Sequence, residues 1–266
     1  MIRITSTKNP RVKDALRLRD RRHREKQERI LIEGFRELNR AIDGGVSPLQ
    51  VFFCPAMCQA DSAQQLLSRL AGAGAEVFEV TEPVFSRLAF GQRAEGIVAV
   101  AAMPRSSLAQ LSLPPVPLVA VLEGVEKPGN LGAVIRSADG AGVSAVVLAD
   151  GRTDLYNPAA IRASLGTVFT LPVCAATSAE VLQWLFDRGV SLYAARVDGR
   201  VPYTEVDFRR PAAVILGSEA TGLGRLWSRT EVTPIRLPML GRADSLNVSA
   251  AAAVLFYEAR RQRDQG

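Results

Sequence analysis

Asn130–Val143 reads NLGAVIRSADGAGV, Ile215–Gly224 reads ILGSEATGLG, and Ile235–Ala253 reads IRLPMLGRADSLNVSAAAA. In each case an apolar run meets glycine, a few polar groups and then a helix-like stretch. Open α/β sheets bind ligands at such junctions, outside the carboxyl ends of their strands. Working outward, Leu118–Leu122 is a continuous apolar run suited to a central parallel strand buried on both faces. Further strands are expected at 145–148, 168–173, 191–195, 213–216 and 233–237, with helices at about 131–141, 158–165, 179–188 and 247–262. This alternation predicts an α/β fold with a mostly parallel sheet and right-handed crossovers.

The first hundred residues read as a smaller α/β sandwich. Asn9-Pro10 is an N-cap and first-turn pair opening a helix with Val12, Ala15 and Leu16 on one face. The apolar run Ile30–Ile32 follows, then a helix from Phe35 to the glycine pair Gly44-Gly45. Val51–Phe53, Val77–Val80 and Gly96–Ala101 are expected strands, separated by the amphipathic Ala63–Leu70 and by Pro83–Leu88. Pro104, Pro114, Pro115 and Pro117 mark a shift in composition read as a linker. The expected organisation is a first domain over 1–103, a linker over 104–117 and a second domain over 118–266.

Composition narrows the function. A chain of 266 residues, 47% hydrophobic, buries at least one full core. It has no bilayer-length apolar run, and MIRITSTKNPRVK has no signal-like apolar segment, so a soluble, cytoplasmic protein is expected. Cys54, Cys58 and Cys174 match no zinc or redox spacing, and no metal is expected. The net charge is +6, yet residues 1–40 hold 13 of the 33 Lys and Arg against 6 of the 27 Asp and Glu. The basic excess is therefore entirely N-terminal. Arg21, Arg22 and Arg24 lie in its densest part and are candidate RNA contacts, since such a face attracts a polyanion through counterion release. A solvated helix face laced with pairs such as Glu25 and Arg29 is the alternative.

Several chemistries are excluded by what is missing. The single histidine, His23, lies in the basic run, so the second half contains no His-based triad, metal motif or histidine base. Gly217 and Gly222 have P-loop spacing, but Leu223 and Gly224 stand where Lys and Ser or Thr belong. Gly140 and Gly142 lack the third glycine of a dinucleotide fingerprint.

The polar residues of the three segments are the remaining candidates. Asn130 sits where an N-cap is expected, presenting a polar group to the crevice. Arg136 is a long cation among small helix residues, either a structural ion-pair partner or a ligand for an anionic substrate. Glu219 follows a strand amid glycines, which more often serves a site than a core. Ser245 and Asn247 cap or line the start of the last helix, whose free amides favour an anion.

As a set, in order and wording, these segments resemble the SpoU (TrmH-like) family of RNA ribose 2′-O-methyltransferases, of the SPOUT class, over about residues 118–262. Ile30-Leu31-Ile32-Glu33-Gly34 and the strand near Gly96–Val100 look like the RNA substrate-binding domain that many members carry. Thr153–Pro158 with Arg162–Thr167 is similar to members acting on large-subunit (23S) ribosomal RNA, including some that confer antibiotic resistance. The resemblance implies a C-terminal trefoil knot that holds S-adenosylmethionine, and an obligate homodimer whose partner completes the active site. It implies cofactor contacts at Leu216, Gly217, Leu237, Met239 and Leu246, and a catalytic pocket of Asn130, Arg136, Glu219, Ser245 and Asn247. The implied reaction is methyl transfer to a ribose 2′-hydroxyl, most naturally of 23S rRNA. A tRNA target, or a non-catalytic role holding RNA during ribosome assembly, are the alternatives.

Overall fold

The computed structural model describes residues 2–58, 60–90 and 95–265. They form two compact units, one of Met1–Arg105 with Tyr156–Thr170 and one of Ser106–Leu155 with Leu171–Gly266.

The first unit contains β1 (Ile2–Ile4), α1 (Pro10–Arg17), α2 (Arg21–Gln27), β2 (Arg29–Glu33), α3 (Phe35–Asp43), β3 (Pro48–Phe53), α4 (Ala60–Gly72), β4 (Glu76–Val80), α5 (Glu82–Leu88) and β5 (Ile97–Ala102). Its sheet has the order β1-β4-β3-β5-β2; β1 and β3 run parallel to β4, while β5 is antiparallel to both of its neighbours. Asn9 caps α1 by accepting from the Arg11 amide at 2.9 Å, with Pro10 in the first turn as expected. Val12, Ala15 and Leu18 then pack with Leu31, Phe52, Phe78 and Phe85 in one core. β1 was not expected, because three residues are too few to show a period.

The second unit runs β6 (Leu118–Glu123), α6 (Pro128–Ala141) and β7 (Ala145–Ala149), then, after α7 (Pro158–Ala163), continues with β8 (Val173–Ala176), α8 (Ser178–Phe186), β9 (Ser191–Ala195), β10 (Val201–Pro202), β11 (Ala212–Leu216), β12 (Val232–Arg236) and α9 (Val248–Asp264). Its seven strands have the order β10-β12-β9-β11-β6-β7-β8, with every pairing parallel. β6, β7 and β11 are buried on both faces, which is why they read as unbroken apolar runs. Gly142 ends α6 in a left-handed conformation, φ 75°, that a side chain rarely adopts.

Three expectations change. The strand expected at 168–173 is a 3-10 turn over Thr167–Phe169, and β8 begins only at Val173. Pro172 has no amide to give a ladder; its carbonyl accepts from Val146, and pairing proper starts one residue later. The expected linker is not a free tether, since Leu108, Leu111 and Leu113 pack against the core of the second unit. Residues 156–170, read as part of the second domain, pack within the first unit instead. There Arg40 donates to the Leu165 carbonyl at 2.6 Å, and Arg162 pairs with the buried Glu33 at 3.5 Å.

Candidate active site

The carboxyl ends of β9, β11 and β12 open on one side of the second unit's sheet, and the chain leaving each of them is irregular. After β11, the loop 217–224 folds back on itself. Ser218 and Gly222 form an antiparallel bridge, the Gly222 amide donates to the Ser218 carbonyl at 2.9 Å, and the Thr221 amide donates to Ser218 Oγ at 3.2 Å. The turn is tight enough that a Cβ on Gly217 would lie 2.3 Å from the Gly222 carbonyl carbon, so glycine is required there on steric grounds. After β12, residues 237–247 run exposed or half-buried to the start of α9. Asn247 is the cap of α9, its side-chain oxygen accepting from the Ser249 amide at 3.0 Å.

These segments enclose a cavity of about 670 Å³. Leu216, Gly217, Leu237, Met239 and Leu246, the five expected cofactor contacts, all line it, as do Glu219 and Ser245. Asn130 and Asn247 do not line it but join it through hydrogen bonds: Asn130 Nδ2 donates to Glu219 Oε1, and Asn247 Nδ2 donates to Asn130 Oδ1 at 3.4 Å. Three segments distant in the chain are thereby tied at one rim. Asn130 is not the N-cap of α6; Pro128 occupies the first turn, Lys127 is the cap, and Asn130 lies inside the first turn.

Arg136 is the candidate that this chain does not bring to the cavity. It is exposed on α6, does not line the pocket, and has no hydrogen-bond or ion-pair partner among the described residues. Of the candidate RNA contacts, Arg21 and Arg22 are exposed, Arg21 pairing with Glu25 at 2.7 Å. Arg24 is a correction. It is 1% exposed, and its Nη1 donates to the carbonyls of Leu18 and Arg19 at 2.8 Å each, so it ties the end of α1 to α2. α2 is under two turns long, and Arg24 is its one buried residue while Arg21 and Arg22 face solvent.

Sequence reasoning missed the contribution of the loop after β9: Arg196, Val197 and Asp198 line the cavity, with Arg196 held by Asp198 at 2.8 Å and by Ser228 Oγ at 2.7 Å. The available signal was positional, because β9 also ends on the ligand-binding side of a parallel sheet. Among the described residues there is no group of His, Cys, Asp and Glu arranged to hold a metal ion, and no helix long and apolar enough to cross a membrane. Burial pushes the Cys174 thiol up to about 11, in keeping with a packing role.

Residues 117–257 match the model of the SpoU rRNA methylase family. The chain belongs to that family. Residues 9–99 match the MRM3-like substrate binding domain, as the N-terminal resemblance implied. Among SpoU relatives, the 23S rRNA (guanosine(2553)-2′-O)-methyltransferase RlmP of Bacillus subtilis is 32% identical over 263 residues, covering 98% of this chain and all of the relative. A solved RNA 2′-O ribose methyltransferase superposes with a TM-score of 0.87 at 43% identity, covering 98% of this chain and 99% of the other. An AdoMet-bound rRNA methyltransferase from Sinorhizobium meliloti superposes with a TM-score of 0.88 at 30% identity, covering 97% of each chain. S-adenosylmethionine is the cofactor of this SpoU enzyme class, and the fold is that of its solved members.

Proposed function

We propose that this protein methylates a ribose 2′-hydroxyl of large-subunit (23S) ribosomal RNA, using S-adenosylmethionine held in the cavity at the ends of β9, β11 and β12. The observation that carries this reading is the convergence of Leu216, Gly217, Leu237, Met239 and Leu246 with Glu219 and Ser245 around that one cavity. The lining suits the cofactor: apolar side chains form a wall for an adenine and thioether skeleton, while Asp198, Glu219 and Asp244 supply carboxylates for a ligand bearing sulfonium and ammonium charges. Bound there, S-adenosylmethionine supplies an activated methyl group. The names of relatives such as the Bacillus subtilis 23S rRNA methyltransferase, which matches along 98% of this chain, favour a 23S target over tRNA.

The chain's own residues then orient and shield. In-line transfer needs the 2′-oxygen aligned with the methyl carbon and water kept out. Asn130, Glu219 and Asn247, linked by hydrogen bonds, form a rim of fixed polarity, so few side-chain torsions remain to be frozen when RNA arrives. A guanidinium is not a base in a protein, so Arg136 acts as an electrostatic group that orients a phosphate and stabilises the oxygen as its proton leaves to solvent.

Because Arg136 lies outside its own cavity, the complete site is built in a homodimer, with Arg136 of a second copy approaching the rim. α6 packs on α9, and α9 leaves Val254 and Tyr257 exposed at 38% and 54%. An isologous contact through these two helices would cover them. The exposed Arg21 and Arg22 dock the RNA, and a cytoplasmic location follows from a ribosomal substrate. The loops after β11 and β12 form the trefoil knot.

Purified protein incubated with tritiated methyl donor and 23S rRNA or tRNA tests the reading, with alkali-resistant linkages mapped afterwards. Label confined to 23S rRNA is expected. Label in tRNA alone would replace the substrate, and RNA binding with no transfer would reduce the protein to an assembly factor.

A further inference from the structure

Glu123 ends β6, in the middle of the parallel sheet, and the mechanism above does not use it. Its half-buried carboxylate gathers three donors from two separate segments. Oε1 accepts from the Ser178 hydroxyl at 2.8 Å, at the start of α8, and from the Trp227 indole at 2.7 Å. Oε2 accepts from the Gly224 amide at 2.5 Å. Gly224 closes the loop 217–224, and Trp227, 1% exposed, anchors the 3-10 turn that follows it. That loop is fixed at its start by β11 and at its waist by the Ser218–Gly222 bridge. Its far end is fixed by Glu123.

An apolar side chain would cap a central strand without the desolvation that a carboxylate costs. What the carboxylate adds is two acceptor oxygens, Oε2 for Gly224 and Oε1 for Trp227 and Ser178, so that it holds the 224–227 stretch at two points. Gly217, Ser218, Glu219, Thr221, Gly222 and Leu223, all from this one loop, line the cavity. We propose that Glu123 is a positioning residue for methyl-donor binding: it clamps the far end of the 217–224 loop and so sets the shape of the donor pocket without touching the donor. This rests on the reading that the cavity binds S-adenosylmethionine.

Glu123→Gln is the sharpest test. It keeps size and one acceptor oxygen but turns the other into a donor, so either Gly224 or the Ser178–Trp227 pair faces an amide that cannot accept. Titration with S-adenosylhomocysteine by calorimetry is expected to show Kd raised about tenfold or more, the size of losing a charge-assisted hydrogen bond. In methyl transfer, KM for the donor rises likewise, while kcat at saturating donor and RNA affinity stay within a few-fold. Trp227→Phe, which deletes the indole donor alone, is expected to give the same shift in smaller measure, and it carries the test should Glu123→Gln fold poorly. In a Trp184→Phe background, Trp227 emission is expected to respond to S-adenosylhomocysteine, and Glu123→Gln is expected to abolish that response. Variants that lose melting temperature yet bind with unchanged Kd would overturn the proposal and leave Glu123 a structural residue. Absence of binding by the unmodified protein would overturn the cofactor reading itself, and the proposal with it.

Discussion

Asn130 and Arg136 are six residues apart on α6, which separates them by about 9 Å along the axis and about 120° around it. The two side chains therefore leave α6 in different directions. Asn130 reaches Glu219, whereas Arg136 points elsewhere and is exposed. If the site is shared between copies, Arg136→Ala is expected to bind S-adenosylmethionine within a few-fold of the unmodified protein while losing methyl transfer, and Glu219→Ala is expected to be inactive as well. Mixing the two inactive proteins after mild dissociation should restore up to about a quarter of full activity, because half the resulting dimers hold one intact site. No recovery on mixing would place Arg136 in the site of its own chain.

Salt dependence separates Arg21 and Arg22 from Arg24. Neutralising the two exposed arginines is expected to weaken RNA binding and to lower the slope of log K against log salt by about one for each phosphate no longer neutralised. Arg24→Ala should leave that slope alone and cost about 2 kcal/mol or more of stability, since one buried and one half-buried carbonyl lose a charged donor. Chemical denaturation beside filter binding at several salt concentrations reads both.

The loop 217–224 is tight enough to be probed with one methyl group. Gly217→Ala is expected to lower S-adenosylhomocysteine affinity about tenfold or more, because overpacking against backbone costs about 1–3 kcal/mol and is relieved by moving the loop. Calorimetry showing unchanged affinity would mean that the loop adjusts without disturbing the cavity.

Burial first, and the nearby Glu95 charge further, raise the carboxyl of Glu37 above its ordinary value of 4.5, against the lowering effect of its own backbone hydrogen bond. A raised folded-state value favours the protonated form, so its contribution to stability is present at low pH and is lost as pH rises through the folded value. Glu37→Gln, which stays neutral, is therefore expected to gain in melting temperature relative to the unmodified protein as pH rises from 4 to 7. A constant difference across that range would show that Glu37 carries no such penalty.

Much of the fold is legible in the sequence alone. Leu118–Leu122 and Ala212–Leu216 are buried on both faces, and only such strands spell unbroken apolar runs. Asn9-Pro10 and Asn247 announce helix starts through local side-chain chemistry. What stays hidden depends on partners far along the chain. Val168 and Phe169 are apolar because they are buried in a 3-10 turn within the first unit, not because they belong to a strand. Arg24 looks like its basic neighbours until α2 is wound and one of them has to face inward. Asn130 reads as a cap because asparagine is a favoured cap residue, but the proline two places earlier opens α6 and leaves Asn130 inside its first turn. The cavity residues were named by resemblance to SpoU enzymes; no spacing in the sequence states that 130, 219 and 247 meet.

The polypeptide passes between the two compact units three times, at 105/106, 155/156 and 170/171. Cutting the gene after Arg105 would thus deprive the first unit of α7 and the turn behind it, leaving Glu33 without Arg162 and Gly44 without the Phe169 backbone it lies against. Any graft of the first unit onto another protein must carry the 156–170 excursion along with it.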